Sequence, residues 1–476
     1  MTFYFYDLET TGFSPRSARI MQFAGQRTDE KLQPIGKPHN FLIRLSEDVL
    51  PDPDAVLITG ITPQKVNQEG ITEAEFLKIF HKEIAIKDTT FVGFNSIRFD
   101  DEFMRFLQYR NFYDAYEWQW KNGRSRWDLL DVVRMTRALR PEGIKWPVDS
   151  AGQPANRLTL LTSINKLTHA NAHDALSDVL ATIDLARLIY KKQPDLFRYL
   201  LKMRDKKAVE QLVMAGKPFV YTSGRFPSEF EKTTVVTTLT KHPSSGAALV
   251  YDLRHNPTPF FDLSSSDLVA AWVRRHDEEG LHLPVKTLKY NRCPAVAPLS
   301  VLDESSQKRL NIDLKAVEAN QKLLESNSDF VKHLLEALKI MEKQTQTRFL
   351  TEEKEVDAQL YDDFVSDQDK RNMAKVISAP PNELGSLSDS LKDSRLKALL
   401  PLYKARNFAS SLTPEEKSRW EQFCFERLFA GEEKSRAASY LQRIEELRTT
   451  KGTTQAQQHL LTDLELYVQS LMPTAY

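Results

Sequence analysis

Only two cysteines occur in 476 residues, Cys293 and Cys424, and they lie far apart in no metal-ligand spacing. A disulfide scaffold or a structural zinc site is therefore not expected, and a reducing compartment suits the chain. Net charge is missing too, because 65 lysines and arginines balance 65 aspartates and glutamates. That excludes a protein that coats nucleic acid by bulk cationic charge. Any such binding must come from local basic clusters on one face. No apolar run approaches the roughly 20 residues of a membrane span. The start, Met1-Thr2-Phe3-Tyr4-Phe5-Tyr6-Asp7, carries neither a basic leader nor a long apolar segment. The expectation is a soluble, cytoplasmic protein with no membrane partner. Internal repeats and low-complexity tracts are absent as well.

What is present is a chain with 41% hydrophobic residues, enough for about two to four ordinary domains. Residues 2 to 6 are aromatic and β-prone, which suits a strand that delivers Asp7 at its end. Strand-like runs follow at Ile20 to Gln26, Phe41 to Leu45 and Thr90 to Phe94. From Asp174 onward, Leu176, Val179, Leu180, Ile183, Ala186 and Tyr190 recur at helical period and predict one apolar stripe. Strands followed by alternating helices and strands predict an α/β layer architecture for residues 1 to 195. A charged connector, Arg204-Asp205-Lys206-Lys207, precedes a region of short strands between proline and glycine turns, residues 218 to 300. These runs, such as Phe219 to Tyr221, Thr234 to Thr237 and Ala248 to Tyr251, predict a small barrel or sheet. Helical patterns dominate from about 303 onward, with an exposed loop expected at Pro380-Pro381.

Three short motifs carry chemistry. In Asp7-Leu8-Glu9-Thr10-Thr11-Gly12, strand alternation puts Asp7 and Glu9 on one side. The second, Asn95-Ser96-Ile97-Arg98-Phe99-Asp100, follows the strand at 90 to 94. The third, His173-Asp174-Ala175-Leu176-Ser177-Asp178, opens a helix, with His173 at its entrance and Asp178 a turn inside. Singly, each also reads as turn or capping chemistry. Together they supply four carboxylates, Asp7, Glu9, Asp100 and Asp178, that would repel one another without cations between them. Phosphodiester hydrolysis uses such a set to hold two divalent ions roughly 3.5–4 Å apart. Magnesium suits it, since that ion prefers oxygen ligands. A histidine beside the metals can take the proton from attacking water, and that role falls to His173.

These motifs resemble those of the DEDDh exonucleases, which share a ribonuclease-H-like fold and a two-magnesium mechanism. The longer resemblance is to the bacterial exonuclease I family. It runs through Val56-Leu57-Ile58-Thr59-Gly60-Ile61-Thr62-Pro63, Tyr109-Arg110-Asn111-Phe112-Tyr113-Asp114 and Ser125-Arg126-Trp127-Asp128. It continues in Ala138-Leu139-Arg140-Pro141, Asn171-Ala172-His173-Asp174-Ala175, Asp357-Ala358-Gln359-Leu360-Tyr361 and Ala405-Arg406-Asn407-Phe408. The resemblance implies a ribonuclease-H-like nuclease domain at 1–195, an SH3-like DNA-clamping domain at 196–348 and a helical domain at 349–476. It implies 3′-to-5′ degradation of single-stranded DNA to 5′-mononucleotides with two Mg²⁺ ions, in DNA repair and recombination, by a monomer. The alternatives are a DEDDh enzyme acting on RNA or mispaired ends, and a non-catalytic single-strand-binding module.

Gripping a single strand takes a basic groove with aromatic platforms. Residues 98 to 140 hold that mixture, including three of the chain's six tryptophans, Trp118, Trp120 and Trp127, and about half of these aromatics are expected in the core. By resemblance, Arg105, Tyr116, Trp120 and Arg134 are the contacts, and Arg157, Glu9 and Thr10 meet the terminal nucleotide. Lys206, Lys286 and Asn291 are further candidates from the connector and the barrel region. The resemblance also implies a partner, the acidic-apolar C-terminal tail of the single-stranded DNA-binding protein, docked by Arg140, Tyr199 and Lys217. Asp303 and Leu323-Leu324-Glu325 stand where further basic residues would be expected.

Overall fold

The computed structural model describes residues 1–169, 173–244, 246–275, 277–351 and 354–472, with backbone alone over 346–351. Asn171 and Ala172, which precede His173 in the third motif, lie outside the described residues. The chain divides into two compact units. One joins Met1–Ser125, His169–Leu180 and Lys354–Tyr476, and the other joins Arg126–Thr168 and Ala181–Glu353.

The first unit is built on β1 (Thr2–Thr10), whose run of aromatic side chains favours extended backbone. Phe3, Tyr4, Phe5 and Tyr6 are all buried, as expected of a strand covered on both faces. β1 pairs antiparallel with β2 (Ile20–Thr28) and parallel with β4 (Thr89–Gly93). With β3 (His39–Leu42) and β5 (Ser125–Asp128) the sheet order is β3-β2-β1-β4-β5. β3 ends before the predicted Leu45, because Ile43 leaves the ladder for an isolated parallel bridge to Ile71. At the far end of β1 the register slips between Glu9 and Thr10. Such irregularities re-aim side chains and recur beside active sites.

Beneath this sheet Tyr6, Phe23, Phe76, Phe80, Phe91 and Trp118 form an aromatic core. Full burial of each such ring is worth about 1.5–3 kcal/mol. The Tyr6 ring stacks on Phe23 at 6.0 Å and meets Trp118 edge-on, while its hydroxyl donates to Asp101 Oδ1 at 2.5 Å. That bond fixes the helix Asp100–Arg110 against β1.

The C-terminal helices of the same unit bury Leu396, Leu399 and Tyr403 against Phe106 and Tyr109. A buried ionic cluster ties them to the N-terminal strands. Arg19 Nη2 reaches Asp357 at 2.9 Å, Arg406 Nη2 reaches both Asp48 and Asp357 at 2.7 Å, and Arg427 Nη1 reaches Asp48 at 3.0 Å. Burial alone would raise the Asp357 pKa, but the guanidiniums of Arg406, Arg19 and Arg427 outweigh it and hold the carboxyl well below its usual range.

The second unit carries an all-antiparallel five-stranded sheet ordered β10-β6-β7-β8-β9. Its members are β6 (Phe219–Thr222), β7 (Thr233–Lys241), β8 (Ala247–Asp252), β9 (Val285–Lys289) and β10 (Ala295–Pro298). Val236, Ala248 and Val250 pack with Val209 and Val213 of the helix Lys206–Val213. This is the small sheet the turn pattern predicts. Among the described residues no helix is long and apolar enough to cross a membrane.

The helix Ala175–Lys192 passes from one unit into the other. Val179, Ile183 and Ala186 of its predicted stripe are buried, but Leu180 is 43% exposed. Leu180 follows Val179 directly, and the 100° step carries it off the buried face.

Candidate active site

The end of β1 and the first turn of the helix Ala175–Lys192 converge. Among the described residues, carboxylate oxygens of Asp7, Glu9 and Asp178 lie within 4.8 Å of one another. Alternation along β1 puts the first two on one face, as the motif predicts. Asp178 arrives from a helix capped by Asp174, whose Oδ1 accepts from the Ser177 backbone N–H at 3.0 Å.

The electrostatics match this crowding. Burial, then the charge of Asp178, pushes the Asp7 pKa well above its ordinary value against the opposing Leu8 backbone N–H. Burial, then Asp7 and Asp178, pushes Glu9 up to about 9. Burial also raises Asp178, against the opposing pull of His169 and His173. Three oxygen-bearing acids that disfavour their own ionisation form a donor set for a hard divalent cation, whose charge would reverse those shifts.

Asp100 is not in the group of three. It is the buried first residue of the helix Asp100–Arg110, after an N-cap residue, Phe99, with φ −126° and ψ −77°. His173 is exposed, sits just before the helix Ala175–Lys192 at φ 66°, and its backbone N–H donates to Asp178. A second histidine, absent from the sequence reading, bonds the cluster through its side chain: His169 Nε2 lies 2.5 Å from Asp178 Oδ1. Nothing in the H-x-x-x-x-D spacing marks it. Gln22, also unforeseen, bonds the start of the same helix from β2. Its one sequence signal is a polar side chain inside the apolar run Ile20 to Ala24.

Thr10 is buried and spends its hydroxyl on the Gly12 carbonyl at 2.9 Å. Tyr116 and Trp120 are 37% and 61% exposed and free to present ring faces, whereas Trp118 is fully buried. Arg105 is buried, bonded to Glu102 at 2.6 Å and Gln119 at 3.0 Å, and its guanidinium lies 5.4 Å from the Tyr116 ring centre. It therefore orients that ring as well as offering charge.

The remaining candidates belong to the second unit and are placed within it. Trp127 is buried edge-on against Phe197. Arg134 pairs with Asp131 at 2.6 Å. Arg157 is exposed at the N-cap of the helix Leu158–Ile164. Lys206 is exposed at the start of its helix, and Lys286 lies half-buried on β9, its pKa lowered by burial and then by Arg225. Asn291 is exposed, and its carbonyl accepts from Arg126 at 2.9 Å. Arg140 Nη1 reaches Asp303 at 3.2 Å and its Nη2 donates to the Val301 carbonyl. Tyr199 packs on the barrel core, burial pushing its pKa up to about 12, and Lys217 is exposed.

Comparison with known proteins bears on this arrangement. Residues 4–186 match the family described as Exonuclease, 204–339 the Exonuclease I SH3-like domain and 354–471 the Exonuclease I C-terminal domain. Exodeoxyribonuclease I of Haemophilus influenzae is 39% identical over 429 residues, covering 89% of each chain. The Escherichia coli protein of the same name is 39% identical over 424 residues, covering 88% of each. Among solved structures, Exonuclease I from Methylocaldum szegediense superimposes with TM-score 0.91 at 38% identity, over 99% of each chain. E. coli Exonuclease I with a dA16 oligonucleotide gives 0.92 at 36% identity, over 99% of this chain and 100% of that one. The E. coli protein is also known as a zinc-bound complex with single-stranded DNA, and a further similar structure is SSB/Exonuclease I with the inhibitor CFAM. Matched in all three of its regions and over most of its length, the chain belongs to the exonuclease I family.

Proposed function

We propose that this chain is a metal-dependent exonuclease that degrades single-stranded DNA from its 3′ end to 5′-mononucleotides. The observation that carries this reading is the meeting of Asp7, Glu9 and Asp178 at the end of a central strand. Relatives crystallised with oligonucleotides and with zinc support substrate and metal class. Asp7, Glu9 and Asp178, joined by Asp100, would hold two Mg²⁺ ions. Bound there, such ions neutralise charge on the attacking and leaving oxygens and lower the pKa of water.

The protein's own groups do the rest. His173, exposed at the mouth of the cluster, takes the proton from the attacking water. His169 holds Asp178 in place through its Nε2. Tyr116 and Trp120 offer ring faces to bases, with Arg105 behind Tyr116. Glu9, Thr10 and Arg157 meet the terminal nucleotide, and Arg134, Lys206, Lys286 and Asn291 hold the strand further back. The boundaries 1–195, 196–348 and 349–476 separate nuclease, clamp and helical parts of a cytoplasmic monomer serving DNA repair and recombination. Arg140, Tyr199 and Lys217 receive the acidic tail of the single-stranded DNA-binding protein, a reading supported by the SSB/Exonuclease I relative.

The test is an end-labelled oligonucleotide time course on single and double strands of DNA and RNA, with and without Mg²⁺. Mononucleotide release from the 3′ end of single-stranded DNA alone, dependent on Mg²⁺, is expected. Asp7→Asn should abolish release while leaving strand binding intact. Faster RNA digestion would replace the substrate, and strand binding without release would make the chain a binding module.

A further inference from the structure

We propose that Gln22 is a positioning residue that sets the helix-borne half of the acidic centre against the strand-borne half; this rests on the nuclease reading above. Gln22 lies on β2 directly opposite Glu9 and is 4% exposed. Its side chain spans the gap between sheet and helix with two hydrogen bonds and makes a third within the sheet. Nε2 donates to Asp174 Oδ2 at 3.2 Å and to Asn40 Oδ1 at 2.9 Å, while Oε1 accepts from the Ala175 N–H at 3.3 Å. The amide can face only one way. Turned over, its oxygen would meet a carboxylate and its NH₂ a backbone N–H, two like-for-like contacts.

Neighbouring residues make this placement consequential. Ala175 is the first residue of the helix Ala175–Lys192, and Asp178 follows three residues later. Asp174 also caps that helix through Ser177, and the Asp178 N–H bonds the Asp174 carbonyl at 3.0 Å. A continuous series of hydrogen bonds therefore runs from the strand partner of Glu9 to Asp178. Without it, the helix start loses its hydrogen bonds to the strand residue opposite Glu9, and the apolar packing beside them is non-directional. Metal sites lose about 10–100-fold in affinity or activity when such outer partners are removed. A glutamine in the otherwise apolar run Ile20-Met21-Gln22-Phe23-Ala24 has no packing advantage over an aliphatic residue.

The experiment measures Mn²⁺ affinity by calorimetry, steady-state kinetics on an oligonucleotide, and amide exchange of the metal-free protein. Gln22→Met should weaken Mn²⁺ binding and lower kcat by about 10–100-fold, with KM for the oligonucleotide within about twofold of wild type. Amide exchange at Ala175, Ser177 and Asp178 should accelerate. Gln22→Glu should be at least as damaging, since it sets a carboxylate against Asp174. Adding Asp174→Asn to it swaps donor and acceptor, and should restore Mn²⁺ affinity to within about threefold of wild type. Wild-type affinity and exchange in Gln22→Met, or no recovery in the double variant, overturns the proposal. If Gln22→Met fails to fold, the comparison of Gln22→Glu with the double variant decides alone. A wild-type protein that binds no Mn²⁺ and releases no nucleotide would sink the nuclease reading instead, and amide exchange would still judge the tether.

Discussion

His169 and Asp178 meet through Nε2 and Oδ1 at 2.5 Å, so one of the three converging carboxylates is oriented by a histidine nine residues before it in the chain. This separates the duties of the two histidines near the centre. His169→Ala should loosen Asp178 and weaken metal binding by about 10–100-fold, a loss that excess Mg²⁺ recovers. His173→Ala should slow turnover by about 10²–10⁴-fold at any Mg²⁺ concentration, because no metal replaces a proton acceptor. Single-turnover rates across a Mg²⁺ titration distinguish them. Rescue of His173→Ala by metal would exchange the two roles.

Exposure sorts the tryptophans in the same way. Trp120→Ala should weaken single-strand binding by about 1–3 kcal/mol and leave thermal stability unchanged, as expected of a stacking platform. Trp118, fully buried against Tyr6, Phe80 and Phe91, should behave oppositely, with alanine costing about 3–5 kcal/mol of stability. Anisotropy with a labelled oligonucleotide and denaturant melts read the two effects. A stability loss in Trp120→Ala would return that ring to the core.

How much of this could be read before any coordinates is a matter of distance along the chain. Asp7 and Glu9 were legible because strand alternation is local, and Asp178 because its helix announces itself by period. β1, β2 and β4 were legible from aromatic and β-branched runs. β5, with two charged residues in Ser125-Arg126-Trp127-Asp128, has no apolar pattern and escaped. The buried cluster escaped for another reason. Arg19, Asp48, Asp357 and Arg406 are ordinary surface residue types whose pairing across more than 300 positions leaves no periodic trace. Gln22 was missed likewise, since it bonds a residue 152 positions away, whereas His169 lies only nine residues before Asp178 and escaped because the H-x-x-x-x-D spacing does not point to it.

The metal-free centre should also make stability depend on pH in a particular direction. The Glu9 carboxyl, raised from 4.5 to about 9 on folding, holds its proton more tightly in the native state than in the unfolded one. Its contribution to native stability is therefore greatest below the lower value and falls as pH rises between the two. Divalent cations bind the ionised form, so the stabilisation they confer should grow over the same window. Thermal melts in EDTA and in Mg²⁺ from about pH 5 to about pH 9 check this, with Glu9→Gln expected to flatten the EDTA curve. A Mg²⁺ stabilisation that ignores pH would remove the carboxylates from the metal site.

At low pH a different group governs. Asp357 is held ionised by Arg406, Arg19 and Arg427 despite its burial, so its contribution is complete above the ordinary carboxylate range and is lost as pH falls toward its depressed value. Asp357→Asn should leave these guanidiniums short of a partner and cost about 3–5 kcal/mol, with a smaller further loss on acidification than in wild type, the remainder coming from Asp48. Melts at neutral and acid pH measure both. A variant as stable as wild type would mean that the arginines are satisfied elsewhere.

In the second unit, Asp303 Oδ2 lies 3.2 Å from Arg140 Nη1, the side chain proposed to receive an acidic tail. The aspartate is half-exposed and competes for the guanidinium that an incoming carboxylate would need. Removing it should relieve both that competition and its repulsion of the tail. Asp303→Ala should therefore bind a labelled acidic-apolar C-terminal peptide about three- to tenfold more tightly, and Asp303→Lys more tightly still. Arg140→Ala should bind it least. The gain should shrink as salt rises, since the charges concerned are solvent-accessible and screened over about 10 Å at 0.1 M. Nuclease rates on bare oligonucleotides should not change in the Asp303 variants. If peptide affinity is indifferent to Asp303 while Arg140→Ala abolishes it, the tail reaches the arginine from a side that the aspartate does not cover.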